Sequence, residues 1–263
     1  RIYSVGCHVR SIAPGALPQG VKPVEPRAAA TIVLIRRAAP TFEVLLLERP
    51  QTARFAPGAF VFPGGAVDVD DSSSIWAHRL PPVGEQAACT AALRELFEET
   101  GILPAGSIGS DGEAIGEARQ GLLGGRNLFS TLAEQMGWDF SGAPIAYFAR
   151  WITPRTVAMR FDTRFFLLLI EDGDPTSVIL TDEHVSSTWV SPDRALHKFG
   201  TGELPLLFPT QTTLERLVGF KSQKEAFHSL GEKTVEPILP KIDLRRNPDR
   251  PLMPGDKDYE EAF

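Results

Sequence analysis

Apolar and polar positions change period several times along the chain, and each change predicts an element. Residues 28–36 and 42–48 are apolar, β-branched-rich runs separated by five residues, the spacing of two paired strands. A third short strand is predicted at 59–62, where Pro63 and two glycines break the run. Over 84–100 the pattern becomes helical, with Ala88, Ala91, Ala92, Leu96 and Phe97 on the apolar side and acids on the other. Residues 104–146 lack strand character after a Gly-rich opening, and 127–136 predicts a helix there. Strands follow at 147–152 and 164–170; the second is nearly all apolar, which predicts a place in the middle of the sheet. A short strand at 188–190 and helices at 192–199 and 210–220 complete the pattern. Residues 1–26, with Pro14, Pro18, Pro23 and Pro26, read as an extended arm, and the Pro- and charge-rich stretch after Val235 reads as a tail over the surface or toward a partner subunit. No internal repeat is evident.

Composition narrows the function classes. With 263 residues and 43% hydrophobic content the chain is long enough for one generous folded domain. A net charge of −6 argues against electrostatic binding of nucleic acid, so an anionic substrate would need local cations, metal or arginine, to receive it. Two cysteines, Cys7 and Cys89, exclude both a disulfide framework and a four-cysteine zinc site, and point to a reducing compartment, with the cytoplasm the expected one. No run reaches the length of a membrane span, so no membrane partner is expected. The start is not a secretory signal, Arg at position 1 suggests a trimmed chain, and the last residues are not a peroxisomal address.

The chemistry concentrates in 94–102, Arg-Glu-Leu-Phe-Glu-Glu-Thr-Gly-Ile. Spacings of three and four residues bring Glu95, Glu98 and Glu99 together on one helical face, where like charges repel. A hard divalent cation offsets that repulsion and leaves positions open for phosphate. Gly101 is suited to end the helix, which places the acids at the end whose dipole disfavours anions. The alternative is a solvated acidic face, which Glu-rich helices commonly present.

Upstream, Phe62-Pro63-Gly64-Gly65 is a sharp turn of the kind found beside a ligand. Together the two segments resemble a Nudix box, whose pattern is Gly, five residues, Glu, seven residues, then Arg-Glu-aliphatic-any-Glu-Glu-any-Gly-aliphatic. Arg94 through Ile102 match the second half at every specified position, and Gly65 supplies the opening glycine. Gly65 lies 29 positions before Arg94 where the pattern needs 14, so about fifteen residues are inserted, and counting back eight from Arg94 lands on Gln86 rather than glutamate. The adjacent Glu85 is a candidate substitute. A second block, with Arg150-Trp151-Ile152-Thr153-Pro154, Arg160-Phe161-Asp162 and Asp182-Glu183-His184, resembles the Nudix branch of coenzyme A diphosphatases, which also carry an insertion inside the box.

The resemblance implies an α/β fold: an α/β/α sandwich with a mixed β-sheet, a helical insertion and terminal extensions. Its boundaries would be an arm at 1–26, the domain at 27–218, and an extension at 219–263. Within the domain fall the box (65–102, inserted at about 69–84) and the helical insertion at about 104–146, a candidate cover for the site. It implies hydrolysis of a diphosphate linkage, with coenzyme A or an acyl derivative as leading substrate, ADP-ribose or dinucleotides next, and an idle nucleotide-binding module as the non-enzymatic alternative. Carried onto this chain, Glu95, Glu98 and Glu99 with the Gly64 carbonyl would hold Mg²⁺ or Mn²⁺. Arg94 would orient a carboxylate, and Glu183 would be the general base, with Asp182, His184, Glu98 or Glu99 as alternatives. Arg49, Arg54, Arg155 and Arg160 are the candidate phosphate ligands. Phe55, Trp151 and Phe161 are candidate stacking residues, while Asp70, Trp76 and His78 lie in the box insertion, which reads either as a substrate-selecting lip or as an inert loop. Members of the family often dimerise, and the long arms suit exchange between copies, so a homodimer is a candidate assembly.

Overall fold

The structure, a computed structural model, describes residues 23–53, 56–104, 112–172, 174, 176–242 and 251–262. Most of the N-terminal arm, Arg54 and Phe55 lie outside them. The frame is one mixed sheet. Strand β1 (Arg27–Arg37) runs antiparallel to β2 (Phe42–Glu48) and parallel to β6 (Phe161–Ile170), with β5 (Ile145–Ile152) antiparallel on the far side of β6. Short strands β3 (Phe60–Val61), β4 (Gly64–Ala66) and β7 (Ser186–Val190) add to β2 and β1, and β8 (Pro237–Ile238) pairs in parallel with β5. As its apolar composition predicts, β6 is interior, with ten residues in register with β1.

Period-two alternation decides which helices cover which face. On β1, Ala30, Ile32 and Leu34 point into one core with Phe166 and Leu168, under α1 (Gln86–Thr100), α2 (Gly112–Leu123) and α3 (Phe129–Met136). Val33 and Ile35 point the other way with Phe165 and Leu167, under α4 (Pro192–Gly200), α5 (Phe208–Leu217) and α6 (Gln223–Gly231). Both faces of the central strands are therefore apolar, and the result is the expected α/β/α sandwich. Among the described residues, no helix is long and apolar enough to cross a membrane.

The box insertion is packed into the fold rather than an inert loop. Two 3₁₀ turns, Asp70–Ser72 and Ser74–His78, bury Trp76 completely, and its ring stacks on Phe129 at 5.2 Å. Asp70 accepts from the Ser130 N–H (3.0 Å) at the start of α3, placing an anion at a helix N-terminus. His78 stays on the surface. The second insertion, at 104–146, contributes α2 and α3 to the packed layer against α1.

Candidate active site

Helix α1 fixes the site because one of its ends carries all three box glutamates. Its apolar residues, the five expected ones included, are buried against the sheet, and Gly101 ends it in the left-handed conformation (φ 74°), donating to Phe97 O at 2.9 Å. The acid face is not solvated as a simple amphipathic helix requires. Glu99 is buried, and Glu95 and Glu98 are half-buried.

The start of β4 makes that burial sterically feasible. Gly64 adopts φ 157°, and a side chain there would collide with the Ala30 carbonyl and Thr31. A side chain on Gly65 would run into the Glu95 carboxylate. The glycine pair thus lets the backbone lie against the acids, and the Gly64 N–H donates to Glu99 Oε2 at 3.0 Å.

Arg94 sits among the acids. Its Nη1 donates to Glu95 Oε1 (2.9 Å) and Glu98 Oε2 (3.0 Å), and its Nη2 to Ala66 O (2.8 Å). Its Nε and Nη2 grip Asp71 at 3.0 and 3.1 Å. Burial disfavours the cation, but the surrounding carboxylates more than offset this and keep it protonated. Asp71 is the residue that counting back from Arg94 misses. Counting forward from Gly65, past five residues, lands on it, so the first half of the box is complete with aspartate for glutamate and the insertion follows it. Glu85 does not substitute: it pairs with Arg164 (3.1 Å) beside the N-terminus of α1, roughly 20 Å along the axis from Glu98.

The acids hold their protons more tightly than free glutamates do. Burial, chiefly, and Glu98 push Glu95 up to about 7 against the pull of Arg94. Burial also raises Glu98, and burial with the neighbouring Glu95 and Glu183 raises Glu99 further. His184 is buried with its Nε2 3.6 Å from Glu99 Oε1, and neither ring nitrogen has a hydrogen-bond partner among the described residues. Burial and the charge of Arg49 lower it to about 4, so it is neutral at physiological pH.

A hard cation fits this donor set: buried carboxylates that resist ionisation despite the charges of Arg94 and Arg49. As they stand, the side chains form no ready three-ligand cluster among the described residues, because Arg94 holds Glu95 and Glu98 while Gly64 holds Glu99.

The remaining candidates separate. Glu183 is exposed but close enough for its charge to act on Glu99. Asp182 is exposed as well. Arg49 is half-buried and acts electrostatically on both Glu99 and His184. Arg155 is exposed on the turn after β5. Arg160 is buried, and its Nε and Nη1 donate to Thr153 O (3.0 Å) and Val24 O (2.6 Å), bracing the turn after β5 against the segment before β1, so two of its guanidinium nitrogens are committed to the backbone. Arg54 and Phe55 lie outside the described residues. Trp151 is buried edge-on against Phe208 (5.9 Å), and both it and Phe161 line a cavity of about 550 Å³. Gly64, Gly65, Arg27 and Arg49 border that cavity, and its other walls are largely apolar, including Pro240, Ile242 and Pro251 from the C-terminal tail.

Comparison with known proteins matches a NUDIX domain to residues 25–118, from the start of the sheet through the acid-bearing helix. The chain is 31% identical to a NUDIX hydrolase from Alicyclobacillus acidocaldarius, with a TM-score of 0.68 over 80% of this chain and 99% of that one. It is 28% identical to the acyl-coenzyme A diphosphatase NUDT19 of Homo sapiens, over 84% of this chain and 73% of the relative. It is 29% identical to the putative nudix hydrolase 7 of Caenorhabditis elegans, over 73% of this chain but only 60% of that protein's length.

Proposed function

The chain belongs to the Nudix hydrolase family, and from that premise we propose that it hydrolyses a diphosphate linkage in a nucleoside diphosphate derivative, with coenzyme A or an acyl-coenzyme A as the leading substrate. One observation carries the reading: the Gly64–Gly65 pair belongs at once to the carboxylate cluster and to a largely apolar cavity of about 550 Å³. A substrate with a charged diphosphate and a long, weakly polar arm suits that division, and NUDT19 relatives named as acyl-coenzyme A diphosphatases, at 26–28% identity, point the same way.

In this mechanism Glu95, Glu98 and Glu99, with the Gly64 carbonyl, would hold the metal. A bound Mg²⁺ or Mn²⁺ supplies charge neutralisation for the diphosphate and acidifies a water. Arg94, braced by Asp71, orients Glu95 and Glu98. Arg49, a cation on the cavity wall whose charge acts on Glu99, receives a phosphate oxygen. Arg155 is left as an outlying contact on the exposed turn. Glu183, exposed and near Glu99, takes the proton from the attacking water. His184 is a poorer base, since it is buried and accepts a proton only near pH 4.

The test is product analysis on coenzyme A, short- and long-chain acyl-coenzyme A, ADP-ribose, NADH and dinucleoside polyphosphates with Mg²⁺ or Mn²⁺. The proposal expects a phosphopantetheine fragment, strict metal dependence, and a loss of about 10²-fold or more in Glu183→Gln. Cleavage confined to ADP-ribose or dinucleotides would replace the substrate and keep the chemistry; no cleavage of any compound would reject the activity.

A further inference from the structure

Arg119 lies in α2, inside the helical insertion, and takes no direct part in the site just described. It is buried, and its guanidinium is spent on backbone carbonyls. Nε donates to Phe97 O at 2.8 Å and Glu98 O at 3.2 Å; Nη2 donates to Glu98 O at 2.7 Å and Ile179 O at 2.6 Å. Two of these carbonyls belong to the last turn of α1, where the dipole is negative; Phe97 O also accepts from the Gly101 N–H that caps the helix. The third belongs to the segment between β6 and β7.

That segment carries Glu183 and His184. It is tied to α1 a second time by the Ile179 N–H, which donates to Thr100 O at 2.9 Å, and it is held to β2 by the Val185 N–H donating to Glu48 O at 2.9 Å. Arg119 therefore bonds to the peptide of Glu98 and to the root of the loop that brings Glu183 near Glu99. A small ammonium cannot reach three carbonyls in this forked arrangement, whereas a planar guanidinium does so from one position.

We infer that Arg119 is a positioning residue for the metal site: it fixes the Glu98–Glu99 end of α1 and sets the loop of Glu183 against it, making the insertion a structural arm of catalysis. This rests on the metal-site reading above. Arg79 provides the control, because it makes bonds of the same kind elsewhere in the insertion layer. Its Nη1 donates to Trp138 O (2.6 Å) and Ala133 O (3.3 Å) at the end of α3, and to no group of the carboxylate cluster.

The experiment measures Mn²⁺ affinity of the full chain by electron paramagnetic resonance, thermal midpoint, and separate kcat and KM, for wild type, Arg119→Gln, Arg119→Lys and Arg79→Gln. Arg119→Gln is expected to weaken Mn²⁺ binding about tenfold or more and to lower kcat with KM nearly unchanged. Arg119→Lys recovers part of the affinity by keeping a cation at the helix end, and it serves as the measured variant should Arg119→Gln fail to fold. Arg79→Gln lowers the thermal midpoint yet binds Mn²⁺ as wild type does. Equal Mn²⁺ affinity in wild type and the Arg119 variants, with only the thermal midpoint reduced, would overturn the inference and leave the metal site standing. A wild type that binds no Mn²⁺ overturns both.

Discussion

On β5 and β6, Arg150 grips Asp162 through two bonds of 2.8 and 2.7 Å, and Arg164 joins Asp162 to Glu85. At the end of α1 a single guanidinium, Arg94, serves Asp71, Glu95 and Glu98, with Glu99 buried beside them. The first cluster is balanced. Although burial alone raises Asp162, the hydrogen bonds and charges of its two arginines carry it below the usual carboxylate range. In the second, Glu95, Glu98 and Glu99 all shift upward. Both clusters contain arginine forks at good distances, so ion-pair geometry alone does not distinguish structure from function. The sign of the carboxylate shifts does: one cluster has its cations, and the other is short of one.

Neutralising one acid in each cluster should have opposite effects. Glu99→Gln removes a buried charge that has too little compensation, so the metal-free protein should melt no lower than wild type while activity falls on the order of 10²- to 10³-fold. Asp162→Asn should do the reverse, costing about 3 kcal/mol in denaturant unfolding while leaving kcat unchanged. Matching losses of stability in the two variants would erase the distinction. Asp71→Asn probes a subtler point. If Arg94 only neutralised charge, removing an anion would free it and help; because it also has to be aimed, kcat/KM is expected to fall about tenfold in steady-state assays.

Much of this was legible in the sequence because it is local. The strands at 28–36 and 42–48 and the helix over 84–100 show their period, and Arg94 to Ile102 show their chemistry by spacing alone. The helix Gly112–Leu123 is not legible, since Gly112, Gly116 and Gly121 weaken its pattern and its stability comes from packing on α1. Arg119 was therefore invisible as well. Asp71 was hidden by the direction of counting: measured back from Arg94, the insertion displaces it, while measured forward from Gly65 it is in place. The tail is the other case. Residues 223–231 form α6 against the second core, and Pro240, Ile242 and Pro251 wall the cavity, none of which composition reveals because a tail of prolines and charges looks the same wherever it packs.

That the α1 cluster lacks a cation is tested by the pH dependence of thermal stability for wild type against Glu95→Gln, with and without Mn²⁺. Folding raises Glu95 from 4.5 to about 7, so the folded state binds the proton more tightly than the unfolded one. The penalty for ionising it is absent below pH 4.5, grows as pH rises, and is complete above about 7. Without metal, the thermal midpoint of wild type relative to Glu95→Gln should thus fall across that window. Mn²⁺ should restore it, increasingly toward higher pH, as the cation takes the proton's place. A wild-type midpoint that stays level or rises relative to the variant across the same window, and does not respond to Mn²⁺, would contradict the claim.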